Sequence, residues 1–541
     1  MAAQLGDWSA DSASLALLAV VLVCSIGVAV GRRGWTIHRH SRERLFWGVP
    51  IGTLGLSVGL CVFYWTVQQG WATPPTTIPF RSWSYFDPEG MVSSSFAHSS
   101  VRHLLGNLLG TLTVGTFAEY HWGHYSRRPH RTGGRLRRWL FGTVPGRICC
   151  FIGGSLFVGL LSGLFSLGPT IGYSGVVFAY VGFTLLGRPI GTVLALLSSR
   201  VLDLFYRAIV SPVVTSGGHS SYVTPWWASI SIHGHLLGLF LGVVLGLWVV
   251  RRRNRTTRPV VVWGATLLLT AMEGLWALYL PVGGGQFTLY RAVGVAGGVL
   301  AGLLFALAVD RTAVARWDRS VGSGLVVSVL VVLAFMAVPY GFTSVPAGTP
   351  GFTENSSVDV DGYTIGYAEE VPHQYINSVR LPLVGQLANV TTGGVIVVNQ
   401  DKELWWPERT TRELAHRGQT TIRIGDVGWQ TPVTASRRAW SPVGNRSTYT
   451  VMLKSGPTQK LVHTAPPSTA SPVIDGRRVR ISSGNRFSLS VIENGTAIDH
   501  TLLPQPNESV TAGGLTFSRT NDSLFAMTND TRVRVATYEP P

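Results

Sequence analysis

Residues 230–250 read ISIHGHLLGLFLGVVLGLWVV, and RRRNRTTR follows at 251–258. A helix needs about 20 mostly apolar residues to cross the hydrocarbon core of a bilayer, and this run has that length and character. Gly238, Gly242 and Gly246 recur every four residues. That spacing puts three residues without side chains on one helix face, where a second helix packs closely. Two histidines, His233 and His235, stand near one end of the run, and five arginines follow the other. Polar groups buried in a membrane are costly and are functional by default. The stretch therefore bears on both fold and chemistry.

The rest of the chain has the same character up to about residue 345. Only 13% of the 541 residues are charged and 46% are hydrophobic, with a mean hydropathy of +0.27. An ordinary soluble protein has about 25% charged residues, so a single soluble globular protein is excluded, as is a disordered polycation. Ten apolar segments qualify as membrane spans: 14–30, 46–67, 99–119, 148–166, 172–187, 189–210, 230–250, 259–280, 288–309 and 320–340. The first has no positive charge before it and Arg32–Arg33 after it, the reverse of a signal peptide. It reads as a span with its N-terminus outside.

The formal net charge is +17, and all but three of the 44 basic residues are arginine. Residues 1–350 carry +16 of it and residues 351–541 only +1. With the N-terminus outside, the inner loops 31–45, 120–147, 251–258 and 310–319, together with Arg188, hold 21 arginines. The outer segments before 345 hold one, Arg81. Inner loops of membrane proteins carry the positive charge. Ten spans then put both termini outside. Arginines dispersed over loops on one face also exclude a nucleic-acid partner, leaving the lipid bilayer as the expected surroundings.

After residue 345 the apolar runs shorten and alternate with polar residues, as at 394–399, 448–453, 478–482 and 532–538. Gly, Pro, Asn and Ser separate them. This pattern predicts a β-rich domain of sandwich type, with one short helix at 408–416. Seven N-x-S/T sequons, at Asn355, Asn389, Asn445, Asn494, Asn507, Asn521 and Asn529, fit an exterior face. The four cysteines, Cys24, Cys61, Cys149 and Cys150, all lie in or beside apolar segments, so the β-rich region has no disulfide framework.

Three polar clusters stand at the outer ends of spans. The first is His98-Ser-Ser-Val-Arg-His103-Leu-Leu-Gly-Asn107. His103 and Asn107, four apart, share a helix face. The second is Gly172-Tyr-Ser174-Gly175-Val-Val-Phe178, and the third is the His233–Gly242 run. Each alone is weak, because a lone histidine near an interface is usually a satisfied polar residue. Together they bring a nucleophile, a base and hydrogen-bond donors to one depth. Ser174 also begins a helix, whose free N–H groups and positive dipole end suit an oxyanion.

In these motifs the sequence resembles the rhomboid intramembrane serine proteases. The family pattern is H-x4-H-x3-N, then G-x-S-G, then H-x2-G-x3-G. Here it is met by His98/His103/Asn107, Gly172/Ser174/Gly175 and His235/Gly238/Gly242. The resemblance covers about residues 46–250 and implies a six-helix catalytic core. It implies Ser174 as nucleophile and His235 as general base, with His103, Asn107 and the Ser174 N–H at the oxyanion and His98 in support. Phe178 falls where the family places a ring against the catalytic histidine. Gly175 and Gly242 would let two core helices approach. His235 is preferred to His233 because only His235 has Gly at +3 and +7. The order Arg81-Ser-Trp83 departs from the family's Trp-Arg pair and puts the conformation of loop 68–97 in question. The segment 211–229 resembles the family's mobile cap. Arg200, Asp203 and Arg207 read as a structural charge ladder within one helix.

The expected fold is thus an all-α polytopic membrane protein with a rhomboid-like six-helix core and about ten spans, followed by an exterior β-rich domain. Residues 1–45 form an extra span and basic loop, 46–250 the core, 251–345 three additional spans and 346–541 the β-rich domain. The expected activity is cleavage of the transmembrane segments of membrane proteins at the outer face of the cell membrane, with no metal and no cofactor. Client capture by the C-terminal domain is a further expectation. The rival readings are an inactive rhomboid-like protein that binds client helices and a transporter; the latter class shows inverted repeats, which this sequence lacks.

Overall fold

The computed structural model describes residues 41–72, 74–125, 134–212, 225–254, 256–283, 286–310, 316–342, 356–378, 380–381, 385–386, 390–529 and 531–539. The expected span at 14–30, Cys24, residues 213–224 of the expected cap and the sequons at Asn355 and Asn389 lie outside them. The chain divides into two compact units. One, Met1–Ser220, Thr224–Leu280 and Thr288–Thr343, is helical in its described residues. The other is Ser344–Pro541 with the short pieces Ser221–Val223 and Pro281–Phe287.

In the helical unit, α1 (Ile51–Val62) starts on a buried carboxylate. Glu119 accepts the amides of Gly52 and Thr53, each at 2.8 Å. The first amides of a helix have no partner inside it, and this carboxylate supplies one. His124 closes on the same carboxylate at 2.6 Å. Helices α2 (Pro88–Ser93), α3 (Val101–Gly110) and α4 (Thr116–Trp122) follow, the last two joined by a π-helical turn at Thr111–Gly115. Then come α5 (Arg135–Gly142), α6 (Val144–Leu164), α7 (Ser174–Leu185), α8 (Pro189–Val210) and α9 (Ile232–Arg252). The unit ends with α10 (Pro259–Met272), α11 (Arg291–Val309) and α12 (Arg316–Gly341). Prolines sit in the first turn of α2, α6, α8 and α10, where a missing N–H costs nothing.

Apolar helices thus fill the expected segments among the described residues, and the protein is an integral membrane protein with a polytopic helical core. Val144–Leu164, Ile232–Arg252, Arg291–Val309 and Val321–Gly341 are long and apolar enough to cross a membrane. Ile51–Val67, Ser174–Leu185 and Pro259–Met272 are shorter apolar helices. Two local expectations are corrected. The segment 259–280 is not helical throughout: α10 stops at Met272, before Glu273 and Gly274, and a hairpin of Tyr279–Gly283 with Gln286–Leu289 precedes α11. The charge ladder of α8 is also incomplete. Arg207 pairs with Asp203 at 2.8 Å, but Arg200 reaches across to Glu273 at 2.9 Å and the Met272 carbonyl at 3.1 Å. The last carbonyls of a helix lack internal partners, and the Glu273 carboxylate adds full charge at that point.

Helices α7 and α9 meet backbone to backbone. A Cβ on Gly238 would stand 2.0 Å from the Gly175 carbonyl oxygen, and one on Gly242 2.0 Å from that of Ala179. The α7 residues Val176, Ala179, Tyr180 and Val181 and the α9 residues Leu239, Phe240, Val243 and Leu247 lie in the buried core. At the far end of α9 the arginines cap α4. Arg253 donates to the carbonyls of His121 and Trp122, and Arg147 to those of Trp122 and Gly123. Cations are favoured at helix C-termini.

The second unit is β-rich. An antiparallel sheet of eight strands runs Thr458–Thr464, Thr448–Ser455, Trp429–Pro442, Thr531–Glu539, Ser523–Thr528, Leu515–Arg519 and Ser509–Ala512, with Gln419–Asp426 also paired to Trp429–Pro442. A four-stranded sheet holds Ser468–Thr469, Arg477–Ser482, Ser488–Glu493 and Thr496–Leu502. Alternate residues of the two sheets share one core: Val479, Ile481, Leu489 and Val491 from one, Phe517, Leu524 and Val535 from the other. A second four-stranded sheet is built from Ser357–Val360, Tyr363–Pro372, Thr391–Asn399 and Leu404–Thr410. A helix follows it at Thr411–Arg417, capped by the Thr410 hydroxyl on the Glu413 amide.

Candidate active site

Three helix N-termini, those of α3, α7 and α9, converge at one end of the helical unit and carry the three sequence clusters. The His235 Nε2 atom lies 2.9 Å from the Ser174 Oγ atom. The close approach of α7 and α9 makes this contact: Ser174 is the first residue of α7 and His235 lies in the first turn of α9. Phe178, one turn along α7, stacks on the imidazole with ring centres 4.3 Å apart and planes 20° apart. The other ring nitrogen, Nδ1, is buried with no hydrogen-bond partner among the described residues. Ring orientation is therefore set by Phe178 and the Ser174 hydroxyl, without a third acidic group.

Gly172 lies two residues before Ser174. Its φ is +126°, and a Cβ there would meet the His103 ring at 2.6 Å and Asn107 Nδ2 at 3.4 Å. The backbone of Gly172 thus lies against both α3 side chains. Its own amide donates to the Ser94 carbonyl at 2.8 Å. Asn107 Nδ2 is buried with no partner among the described residues, so it has a donor to give. The His103 Nδ1 atom faces the Ser99 hydroxyl at 3.0 Å, which leaves Nε2 toward Gly172. The His98 and His103 rings stand edge to face, 5.2 Å apart. All the expected site residues, Ser174, His235, His98, His103, Asn107, Gly172, Gly175, Phe178, Gly238 and Gly242, therefore belong to one neighbourhood.

Several supporting residues carry no motif. Gln68 clamps the backbone of His98: its Oε1 accepts from the His98 amide at 2.7 Å and its Nε2 donates to the His98 carbonyl at 3.0 Å. Tyr173 and Tyr180 are linked through their hydroxyls at 3.1 Å, and Tyr180 donates to Ser155 at 2.8 Å beneath the site. Loop 68–97 has a defined conformation despite its departure from the family pair. Trp83 is fully buried and donates from Nε1 to the Ile78 carbonyl at 2.6 Å. The Ser82 amide donates to the Thr170 carbonyl, tying this loop to loop 165–173. His233 does not touch Ser174. Its Nδ1 accepts from the Leu167 amide at 3.2 Å and its Nε2 lies 2.8 Å from the Leu333 carbonyl. Among the described residues no group of histidine, cysteine, aspartate and glutamate could hold a metal ion.

Such an arrangement has the parts for acyl transfer: a hydroxyl, a base on it and donors beside it. No curated protein matches the chain, and no solved structure does. The family model described as the Rhomboid domain matches residues 82–252. The match runs from loop 68–97 to the last residue of α9 and leaves α1 outside, so it starts later than the expected core at 46–250. It contains all three clusters, and this part of the chain is similar to the Rhomboid domain.

Proposed function

We propose that the protein is a serine endopeptidase acting within the membrane, with Ser174 as nucleophile and His235 as general base. The observation that carries this reading is the 2.9 Å contact between His235 Nε2 and Ser174 Oγ. His235 takes the hydroxyl proton as Oγ attacks the scissile carbonyl carbon. The tetrahedral oxyanion receives hydrogen bonds from Asn107, His103 and the Ser174 N–H. His235 returns the proton to the leaving amine, and an acyl-enzyme remains. Water deprotonated by His235 then releases the second product. Among the described residues no acid meets Nδ1, and the stacked ring of Phe178 orients the imidazole in a dyad. His98 holds the corner beside His103.

The substrates on this reading are single-pass membrane proteins with an unstable helix end and small residues at the cleavage site. The fuller topology belongs to the same proposal: ten spans, a core at 46–250, three added spans at 251–345, and both termini with a sandwich-type domain at 346–541 on the exterior of the cell membrane. The arginine distribution supports it. Capture of clients by the β-rich domain belongs to the same proposal.

The test is cleavage in reconstituted vesicles. Wild-type protein should cut a single-pass substrate, and Ser174→Ala and His235→Ala should each abolish the cut. A wild type inert on several substrates would instead favour an inactive relative that binds client helices.

A further inference from the structure

The three helices after residue 250 have so far no part in the chemistry, and neither does His233. The contacts of α12 give both a role. Its last turn is seated in loop 68–97. The Tyr85 amide donates to the Gly341 carbonyl at 2.6 Å, and a Cβ on Gly341 would stand 2.3 Å from the Tyr85 ring. The Tyr85 hydroxyl then donates to the Leu164 carbonyl at 2.9 Å, where α6 gives way to loop 165–173. Tyr340 reaches the Ser82 carbonyl at 3.5 Å, and the Ser82 amide reaches Thr170 in the same loop. Two turns earlier, the Leu333 carbonyl meets His233 Nε2, while His233 Nδ1 holds the Leu167 amide.

Three routes from α12 therefore end on Leu164, Leu167 and Thr170, all in or at the edge of the nine-residue segment 165–173 that delivers Gly172 and Ser174. His233 is the shortest of them, because one side chain joins α12 to the loop directly. Its tautomer follows from its partners. The Leu167 N–H donates to Nδ1, so Nδ1 is bare and Nε2 carries the hydrogen that faces the Leu333 oxygen. One neutral imidazole satisfies both groups.

We propose that α12 is a positioning element of the active site and that His233 is the positioning residue through which it holds loop 165–173. The inference rests on the reading of Ser174 as nucleophile, and its consequence is geometric. A displacement of about 1 Å at reacting atoms costs large factors in rate, and loop 165–173 fixes where Ser174 Oγ and its backbone N–H stand. The added spans thus form part of the catalytic unit. His233 ranks below His235 in importance but above a bystander.

Full-length protein provides the test, with two readouts. Hydrogen exchange of peptides covering 165–173 reports the tie directly. The rate at which a fluorophosphonate labels the protein reports the site. His233→Ala should speed exchange in 165–173 and slow labelling, each about tenfold, with KM for a transmembrane substrate unchanged within about twofold. His233→Gln, which keeps an acceptor and a donor, should recover most of both. Gly341→Leu should unseat the end of α12 and give a similar loss. Combined with His233→Ala it should deepen both effects, since the two substitutions break separate routes to the same loop. Gly341→Ala serves the same purpose if the leucine variant does not fold. Unchanged exchange in His233→Ala, or unaltered labelling by a variant whose exchange has risen, would overturn the proposal. The exchange readout does not need Ser174 chemistry. A wild type that fails to react yet shows His233-dependent protection refutes the nucleophile and upholds the tie.

Discussion

Gly172 is the residue of the site with the least latitude. Its positive φ disfavours any side chain, and the His103 ring occupies the space a Cβ would need. Gly172→Ala should therefore lower kcat by about 100-fold, the scale at which one oxyanion donor is lost, and also lower the thermal midpoint, since alanine is strained at this φ. Unimpaired cleavage by this variant would mean that the backbone before Ser174 does not set the donor geometry. Asn107→Ala should produce a comparable fall in kcat with KM nearly constant, since the buried Nδ2 has no ground-state partner to lose. Residues of this kind were legible in the sequence because short motifs fix Ser174, His235, His98, His103 and Asn107 by spacing within a helix turn. Gln68, Tyr85 and the double contact of His233 were not. Their partners lie 30 to 256 positions away in the chain, as Gln68–His98, His233–Leu333 and Tyr85–Gly341 do, and no local pattern announces such a pair.

Among the elements, the α7–α9 pair bears most of the strain of the design. Glycine faces backbone at Gly238 and Gly242, so any side chain there forces the helices apart. Gly242→Val should cost about 1–3 kcal/mol of stability through overpacking and remove cleavage by lengthening the Ser174–His235 contact. A variant with normal unfolding and normal turnover would show that the helices tolerate separation. The four-residue glycine spacing made this contact readable in advance, and apolar runs of bilayer length made the helices readable. Helix ends were less so. The run at 259–280 is apolar nearly throughout, yet Glu273 and Gly274 end α10 early and a hairpin takes the remainder. The short helices α2 and α5 were also missed, since six and eight residues are too few to display a helical period.

For the whole molecule, the arginine distribution supports the proposed topology. The β-rich unit was legible as a class from alternation, but its pairing order was not, since strands far apart in sequence such as Trp429–Pro442 and Thr531–Glu539 are neighbours. This unit also contains a pH-sensitive residue. His373 packs against Trp405 and Trp406, with ring centres 5.5 and 5.9 Å away, and burial pushes its pKa down to about 4. The unfolded chain takes up that proton near pH 6.5, so the contribution of neutral His373 is full above about pH 6.5 and is lost as pH falls toward 4. The loss should reach about 3 kcal/mol. Melting curves followed by tryptophan fluorescence should show the midpoint falling over that window, and His373→Phe should flatten the slope. An identical slope in the variant would assign the effect to other groups. Client capture is tested at the same scale: removing residues 351–541 should spare cleavage of a bare transmembrane peptide and impair that of a full-length client.

On the proposed mechanism Ser174 is an activated nucleophile. The most direct measurement of this is labelling of the purified full-length protein with a fluorophosphonate, followed by mass spectrometry of the modified peptide. A single adduct should form on Ser174, be absent in Ser174→Ala and be strongly reduced in His235→Ala. An unlabelled wild type, or an adduct that persists in Ser174→Ala, would contradict it.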